Sequence, residues 1–194
     1  MPRTARASVG GVCYHVINRG NGRRRVFHKD GDYHAFLKAL YHAFVEIPMP
    51  VLAYCLMPNH FHLALLPKND GDLSVWMHWV QNTHVRRYHK HHHGSGHIWQ
   101  GRFKAFPIQE DEHLLTVLRY IERNPLRANL VRRAEDWRWS SAHYWQEEQV
   151  RPSYLAAGPV TRPRKWLEWV NQPVTDAELQ TIRRSVVRGS PYGD

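Results

Sequence analysis

Cysteine is scarce in this sequence, which has only Cys13 and Cys55 among its 194 residues. So few thiols do not fit a disulfide-stabilised secreted domain, and both lie in apolar surroundings typical of strands. We therefore expect two buried free thiols in a reducing compartment. The N-terminus also lacks the apolar segment of a signal peptide, so the sequence favours the cytoplasm.

Long hydrophobic runs are missing too, and none approaches the length of a membrane span. Acidic residues are few: 17 Asp and Glu stand against 27 Lys and Arg, which gives a formal net charge of +10. This charge implies a polyanionic partner, because phosphates that bind Lys or Arg release counterions. A membrane-surface role would need a basic helix with a clean apolar face, which the strongest basic clusters lack. Nucleic acid is therefore the expected partner.

The residues that are present predict a folded α+β protein. Hydrophobic residues make up 42% of the chain, which also has eight tryptophans, enough for one domain with a proper core. Their periodicity matches a ferredoxin-like split β-α-β arrangement, with helices on one face of an antiparallel sheet. The predicted elements are strand 12–18, a helix from Asp30 that ends before Pro48, strands 51–57 and 60–66, helix 73–90, strand 98–108 and a helix from about residue 110 that Asn124-Pro125 breaks.

The chain changes character after Ala134, where tryptophans alternate with polar residues and prolines mark irregular structure. We therefore expect a domain over residues 1–134 and a C-terminal tail over residues 135–194. Thr175 begins a capping-box pattern ahead of a short apolar stripe, which predicts one last helix. The opposite side of that helix carries Arg183 and Arg184, so we expect the tail to contact nucleic acid.

Two histidines stand at the head of the third predicted strand. Side chains alternate along a strand, so His60 and His62 point to one face while Phe61 points to the other. Two neighbouring imidazoles at the end of a sheet form half of a metal site. Histidines at this spacing are also common as plain surface pairs, so the pair alone leaves both interpretations open.

Tyr120 and Asn124 are four residues apart, so they share a face of the third predicted helix. A phenol is a poor nucleophile at its ordinary pKa of about 10. It becomes useful where a divalent metal polarises a phosphate and cations flank it, and Arg119 and Arg123 are local candidates for those cations. The carbonyl oxygen of Asn124 could join the two imidazoles as a third ligand. The alternative is that Tyr120 packs at a helix edge and Asn124 caps the helix.

These residues carry a family resemblance. His60-Phe61-His62 resembles the histidine, hydrophobe, histidine signature of HUH endonucleases, and Tyr120 with Asn124 resembles the tyrosine helix of single-tyrosine transposases. The specific likeness is to the REP-associated tyrosine transposases, over roughly residues 10 to 145. The supporting segments are 16–21, 57–62, 97–103, 123–131 and 137–141. The ending 188–194 is similar to a family segment beyond which members usually continue, so the resemblance implies a chain cut short there.

The resemblance implies an HUH nuclease fold and a metal-dependent single-stranded DNA endonuclease and strand-transferase. Tyr120 would attack a phosphodiester, keep a 5′-phosphotyrosine and release a 3′-OH, while His60, His62 and Asn124 would hold one Mg²⁺ or Mn²⁺. The implied substrates are imperfect hairpins of repetitive extragenic palindromes (REP) with a single-stranded guide. Whole-element relatives are dimers with the tyrosine in trans, whereas this branch is expected to be monomeric, cytoplasmic and nucleoid-associated.

Basic side chains are expected to follow the DNA backbone, and Trp or Tyr rings to stack on unpaired bases. The candidate DNA-binding residues are Arg19, Arg23, Arg24, Arg25, Arg102, Lys104, Arg119, Arg123, Arg127, Arg183 and Arg184.

Several other groups have plainer interpretations. The histidines between His89 and His97 suggest a solvated helix end in preference to a zinc site. The pairs Asp30 with Asp32 and Asp70 with Asp72 suggest helix capping in preference to catalysis. Two rival functions stay open: a nucleic-acid-binding module without chemistry, such as a repressor or RNA binder, and a metallo-hydrolase that uses water.

Overall fold

Four strands form one antiparallel sheet: β1 (Cys13–Arg19), β2 (Val51–Met57), β3 (His60–Leu65) and β4 (Lys104–Ile108). Their spatial order is β2–β3–β1–β4, so β1 and β3 occupy the centre of the sheet. The structure is a computed structural model and describes residues 8–109, 112–147 and 149–173. The predicted helical segment after Thr175, with Arg183 and Arg184, lies outside these ranges.

Helices cover both faces of the sheet. They are α1 (Asp30–Glu46), α2 (Asp72–His92), α3 (Glu112–Arg127) and α4 (Trp166–Asn171), with 3₁₀ turns at Asn21–Arg23, Ala134–Asp136 and Ser141–Trp145. The predicted order of strands and helices is confirmed. The prediction that all helices lie on one face is wrong, because α1 and α2 pack on one face and α3 and α4 on the other.

The alternation of side chains along β3 explains the two layers. Phe61, Leu63 and Leu65 are fully buried in the core that α1 and α2 share, and each such side chain contributes about 1.5–3 kcal/mol when buried. The opposite face carries small residues such as Ala53, Cys55 and Ala64 in the core beneath α3. Small side chains let a helix approach the sheet closely, so α3 lies against the face on which His60 and His62 stand.

The fourth strand is shorter than predicted. Only Lys104–Ile108 pairs with β1, whereas Trp99 joins the sheet through a single bridge to Gly20. Between them Gly101 has a φ of +129°, a conformation open to glycine but not to residues with a Cβ. The chain therefore turns at Gly101, and the apolar residues before it, which suggested a longer strand, pack as single anchors.

Helix α3 continues through Pro125, where the sequence predicts a break. Proline has no N–H, so the carbonyl of Ile121 loses its helical donor. The side-chain Nδ2 of Asn124 donates to the Ile121 carbonyl at 3.3 Å and to the Tyr120 carbonyl at 2.8 Å. This local replacement lets the helix run on to Arg127.

The described part of the C-terminal segment packs against the free edge of β2. The backbone N–H of Leu56 donates to Trp139 at 2.9 Å, and that of Val51 donates to Tyr154 at 2.9 Å. Helix α4 forms in a stretch that the sequence analysis assigns to irregular structure. The boundary at residue 134 stays a prediction.

Smaller expectations also have an outcome. Cys13 and Cys55 are buried and neither forms a disulfide, as predicted. The carboxylate of Asp32 accepts hydrogen bonds from the backbone N–H groups of His28 and Lys29, which confirms capping there. None of the described helices is both long and apolar enough to cross a lipid bilayer.

Candidate active site

The two central strands bring three histidines onto one face of the sheet. In the register of β1 and β3, Arg19 lies opposite His60, Ile17 opposite His62 and His15 opposite Ala64. The sequence analysis finds His60 and His62 but misses His15. The alternation along β1 places His15 on the same face as Ile17 and Arg19. Only the strand register shows that this is also the face of His60 and His62.

The three rings form a contiguous group. The Nε2 of His15 lies 2.9 Å from the Nδ1 of His62, with the two rings stacked at a centroid distance of 5.1 Å. The His60 ring meets His62 edge-on at 5.0 Å. His60 is held by its Nδ1, which lies 2.7 Å from the Oδ1 of Asn59.

Tyr120 packs directly on this group from helix α3. Its ring centroid is 5.7 Å from that of His62 and 6.1 Å from that of His15, both in edge-to-face geometry. The structure thus brings together the tyrosine and histidines that the sequence singles out. Tyr120 is 8% exposed, because the face of α3 that carries it lies on the sheet.

Asn124 and Arg127 complete the helical side of the site. Asn124 is buried, and its Oδ1 accepts a hydrogen bond of 2.7 Å from the Nη2 of Arg127. The guanidinium carbon of Arg127 lies 4.9 Å above the centre of the Tyr120 ring, within the range of a cation–π contact. Arg127 is therefore the cation beside Tyr120.

Burial and positive charge keep the imidazoles neutral. Burial, helped by Arg19 and Arg127, lowers the pKa of His60 to about 4. Burial also lowers the pKa of His15 to about 4 and that of His62 well below its ordinary value, with His60 as the next cause for His62. A neutral imidazole has a free lone pair, which is the form that binds metal ions.

The structure gives Arg119 and Arg123 a different place from the predicted one. Arg119 is buried, donates to the carbonyls of Trp169, Gln172 and Pro173, and lies over the Trp169 ring. Arg123 donates to the carbonyls of Val170 and Asn171. Both satisfy the carbonyls at the end of α4. The guanidinium groups that were predicted to flank the scissile phosphate are therefore bound at α4.

Five other predicted DNA-binding residues are exposed and lie in three places. Arg23, Arg24 and Arg25 are exposed in the loop that follows β1, next to the turn that precedes His60. Lys104 is exposed at the sheet edge and is paired with Ile17, so it shares the face of the histidines. Arg102 is also exposed and lines a cleft of about 360 Å³ between α2 and the segment before β4.

A second polar cluster on α3 escapes the sequence analysis. The carboxylate of Glu122 is fully buried and accepts hydrogen bonds from Ser141 at 2.6 Å, Trp145 at 2.7 Å and Trp166 at 2.6 Å. The guanidinium of Arg162 lies over the Trp145 ring at 4.1 Å. The donors come from segments far apart in sequence, so no local motif announces the cluster.

The side chains around Tyr120 include donor atoms that suit a divalent cation. The Nδ1 of His60 faces the amide oxygen of Asn59, and the Nδ1 of His62 faces the Nε2 of His15. In the tautomer in which each Nδ1 is the donor, Nε2 is the ligand atom of the neutral ring. The Asn124 oxygen is an acceptable third ligand, with one of its two lone pairs already used by Arg127. Among the described residues there is no cluster of three His, Cys, Asp or Glu suited to a metal. The site therefore fits a cation that also takes ligands from substrate or water.

Comparison with known proteins agrees with this arrangement. The family model for IS200-like transposases matches residues 8–124. A Haemophilus influenzae protein named as a REP-associated tyrosine transposase is 29% identical over 123 residues, which are 58% of this chain and 69% of that protein. The Escherichia coli REP-associated tyrosine transposase is 26% identical over 139 residues, which are 69% of this chain and 78% of that protein.

The fold has a match among solved structures as well. A REP-associated tyrosine transposase bound to a REP hairpin aligns with a TM-score of 0.62 at 23% identity, over 91% of this chain and 100% of that chain. The family match takes in the histidine strand, His15 and helix α3 as far as Asn124. This chain therefore belongs to the family of IS200-like transposases.

Proposed function

We propose that this transposase cuts and rejoins single-stranded DNA at REP-type hairpins, with Tyr120 as the nucleophile. The single observation that carries the proposal is the contact of the Tyr120 ring with His62, at 5.7 Å and edge-to-face. The Tyr120 ring therefore lies beside the histidines that would hold the metal ion. The rival binding module has no use for this juxtaposition.

The reaction at Tyr120 is a phosphoryl transfer. The phenolic oxygen forms a bond to the scissile phosphorus and loses its proton, while the bond from phosphorus to the 3′ oxygen breaks. The 3′ oxygen takes up a proton and leaves as a 3′-OH, and the 5′ phosphate stays on Tyr120. Attack by a 3′-OH on this phosphotyrosine reverses the step, so rejoining needs no ATP.

His60, His62 and Asn124 are the residues that would hold one Mg²⁺ or Mn²⁺. Such an ion supplies Lewis-acid polarisation of the scissile phosphate. The chain itself contributes two cations: Arg127 over the Tyr120 ring and Arg19 opposite His60. Guanidinium groups at these positions favour the extra negative charge of the transition state.

The DNA would reach the site along basic side chains. Arg23, Arg24 and Arg25 are exposed in the loop next to the turn that precedes His60, and Lys104 is exposed on the face of the histidines. Arg102 is exposed in the cleft beside α2. The relative in the solved structure is bound to a REP hairpin, which supports a hairpin as the substrate here. A role for the tail, including Arg183 and Arg184, also belongs to this proposal.

The test uses labelled single-stranded hairpin DNA with an unpaired flank, incubated with Mn²⁺ and resolved on a denaturing gel. The wild-type protein should form a covalent adduct that Tyr120→Phe abolishes. His60→Ala and His62→Ala should each lower its rate by about 100-fold, the size of effect seen when a transition-state contact is lost. Tyr144→Phe is the matched control and should leave the adduct unchanged.

The remaining outcomes separate the rival functions. Cleavage that persists in Tyr120→Phe would indicate a water-using metallo-hydrolase, with the tyrosine incidental. Binding of the hairpin by the wild-type protein, with neither cleavage nor adduct, would indicate a repressor-like module.

We also propose that the active unit is a cytoplasmic, nucleoid-associated monomer. The support for a monomer is that Tyr120 packs on His15 and His62 of the same chain. Mixing Tyr120→Phe with His60→Ala protein tests this directly. A monomer predicts no adduct in the mixture, whereas an enzyme that exchanges its tyrosine between subunits would regain activity.

A further inference from the structure

The turn between β2 and β3 is enclosed by the basic loop that follows β1. The N–H of Gly20 donates to the carbonyl of Asn59 at 2.8 Å, and the N–H groups of Val26 and Phe27 donate to the carbonyl of Pro58 at 2.9 and 3.1 Å. Residues 20–27 thus wrap around the two residues that immediately precede His60. The shape of the loop and the position of His60 depend on the same turn.

The side chain of Asn59 bonds to both the loop and the histidine. Its Nδ2 donates to the backbone carbonyl of Arg23 at 3.1 Å, and its Oδ1 lies 2.7 Å from the Nδ1 of His60. Arg23 has a φ of +60°, a left-handed conformation that is uncommon for residues other than glycine. The bond to its carbonyl therefore stabilises a strained point of the basic loop.

These two bonds fix the proton on His60. A backbone carbonyl can only accept, so the amide nitrogen of Asn59 must face Arg23 and the amide oxygen must face His60. An amide oxygen also only accepts, so the Nδ1 of His60 must carry the hydrogen. In the neutral ring the lone pair then lies on Nε2, away from Asn59.

We propose that Asn59 is a positioning residue that sets the His60 tautomer for metal binding through Nε2 and ties that histidine to the basic loop Asn21–Arg25. The metal half of this inference rests on the proposed function, in which His60 is a ligand. Partners of this kind orient ligating histidines in metal sites generally. Here the partner also reaches the surface where the phosphate backbone would bind.

Two substitutions separate the two bonds of Asn59. Asn59→Ala removes both, whereas Asn59→Asp keeps an acceptor for His60 and loses the donor to Arg23. Asn69→Ala is the matched control, because Asn69 is another turn asparagine, whose side chain bonds Asp72 instead. Urea unfolding of each variant checks that it remains folded.

The first measurement is nitrogen-15 NMR of the histidine side chains without metal or DNA. Wild type, Asn59→Asp and Asn69→Ala should show His60 protonated at Nδ1, and Asn59→Ala should lose that preference. A His60 ring that is protonated at Nε2 in the wild type, or unchanged in Asn59→Ala, would overturn the proposal. This result does not depend on Tyr120 or on any reaction.

The second measurement is Mn²⁺ affinity by electron paramagnetic resonance. Asn59→Ala should bind about 10-fold to 100-fold more weakly, the usual cost of losing such a partner, while Asn59→Asp should stay close to wild type. Equal affinity in Asn59→Ala would contradict a positioning role. A wild-type protein that bound no Mn²⁺ would count against the proposed function, while the tautomer measurement would still decide whether Asn59 sets the proton.

Discussion

Helix α3 carries two polar clusters, and they differ in how many of their donor and acceptor atoms lack a hydrogen-bond partner within the protein. Around Glu122, Ser141, Trp145 and Trp166 supply three hydrogen bonds to one carboxylate, and Arg162 adds a nearby positive charge. Two donors come from the 3₁₀ turn Ser141–Trp145 and the third from helix α4. The cluster joins the C-terminal segment to the helix, and the Glu122 carboxylate is hydrogen-bonded to that segment through both of its oxygens.

The cluster around Tyr120 is built differently. His60 and His62 are fixed through Nδ1 by Asn59 and His15. The Nε2 of His60, and that of His62 in the tautomer whose Nδ1 donates to His15, is then available to a ligand. Burial of polar groups is costly unless they have partners, and a structural cluster therefore uses up its donors and acceptors. A buried site with ligand atoms that are not hydrogen-bonded within the protein is suited to binding a metal ion or a substrate.

The largest expected effect lies in the structural cluster. Glu122→Ala should lower the free energy of unfolding by about 3–5 kcal/mol, because it leaves buried donors and the charge of Arg162 without their partner. Urea denaturation measures this loss, with the exposed Glu46→Ala as control. A loss below about 1 kcal/mol would show that the donors find other partners.

The second effect is a pH dependence that comes from the histidine cluster. The pKa of His15 is lowered to about 4 from 6.5, so the unfolded chain takes up its proton first as the pH falls. The contribution of neutral His15 to the free energy of unfolding is therefore fully present above pH 6.5 and is lost between about pH 6.5 and 4. At pH 5 the loss for this histidine is on the order of 2 kcal/mol. Glu122 acts in the opposite direction, because burial raises its pKa and acid relieves that penalty.

Urea unfolding at pH 7 and pH 5 separates these contributions. His15→Phe should reduce the difference between the two pH values by about 2 kcal/mol, whereas the exposed His97→Ala should leave it unchanged. An undiminished difference in His15→Phe would mean that His15 does not lose its proton on folding.

Two arginines on α3 extend the comparison. Arg119→Ala should cost about 1–3 kcal/mol of unfolding free energy, because it leaves the carbonyls at the end of α4 without their donor. Arg127→Ala should cost less than about 1 kcal/mol and should instead slow adduct formation by about 10-fold or more. If Arg119→Ala and Arg127→Ala lowered the free energy of unfolding equally and neither changed the rate of adduct formation, the contrast between a structural and a functional cluster would be wrong.

The smallest effect belongs to the basic loop. Arg23→Ala should weaken hairpin binding modestly and should lower the slope of log affinity against log salt by about one. Fluorescence anisotropy over a salt series measures the slope. An unchanged slope would place Arg23 away from any phosphate.

The sequence predicted the elements whose signal is local. Strand β2 was predicted at its observed bounds, because Val51 to Met57 is an unbroken apolar run that is buried throughout. His60, His62, Tyr120 and Asn124 could be chosen because strand and helix periodicity places each pair on one face. Their roles stay predictions until they are tested.

What the sequence could not supply depends on tertiary partners. Arg119 was predicted to bind phosphate because its charge can be identified from the sequence. The sequence does not indicate that the carbonyls of α4, about 50 residues later, accept its hydrogen bonds. Pro125 predicted a helix end because the sequence does not show that the Asn124 side chain replaces the missing backbone donor. His15 and Glu122 were missed for the same reason, since strand register and distant donors give them their meaning.

Peptide mapping of the covalent adduct tests the central claim most directly. After incubation with hairpin DNA and Mn²⁺, nuclease and trypsin digestion would leave a nucleotide mass on the tyrosine that attacked. The account predicts that mass on the peptide that contains Tyr120 and on no other. A nucleotide on Tyr144 or Tyr154, or cleaved DNA with no modified peptide, would contradict it.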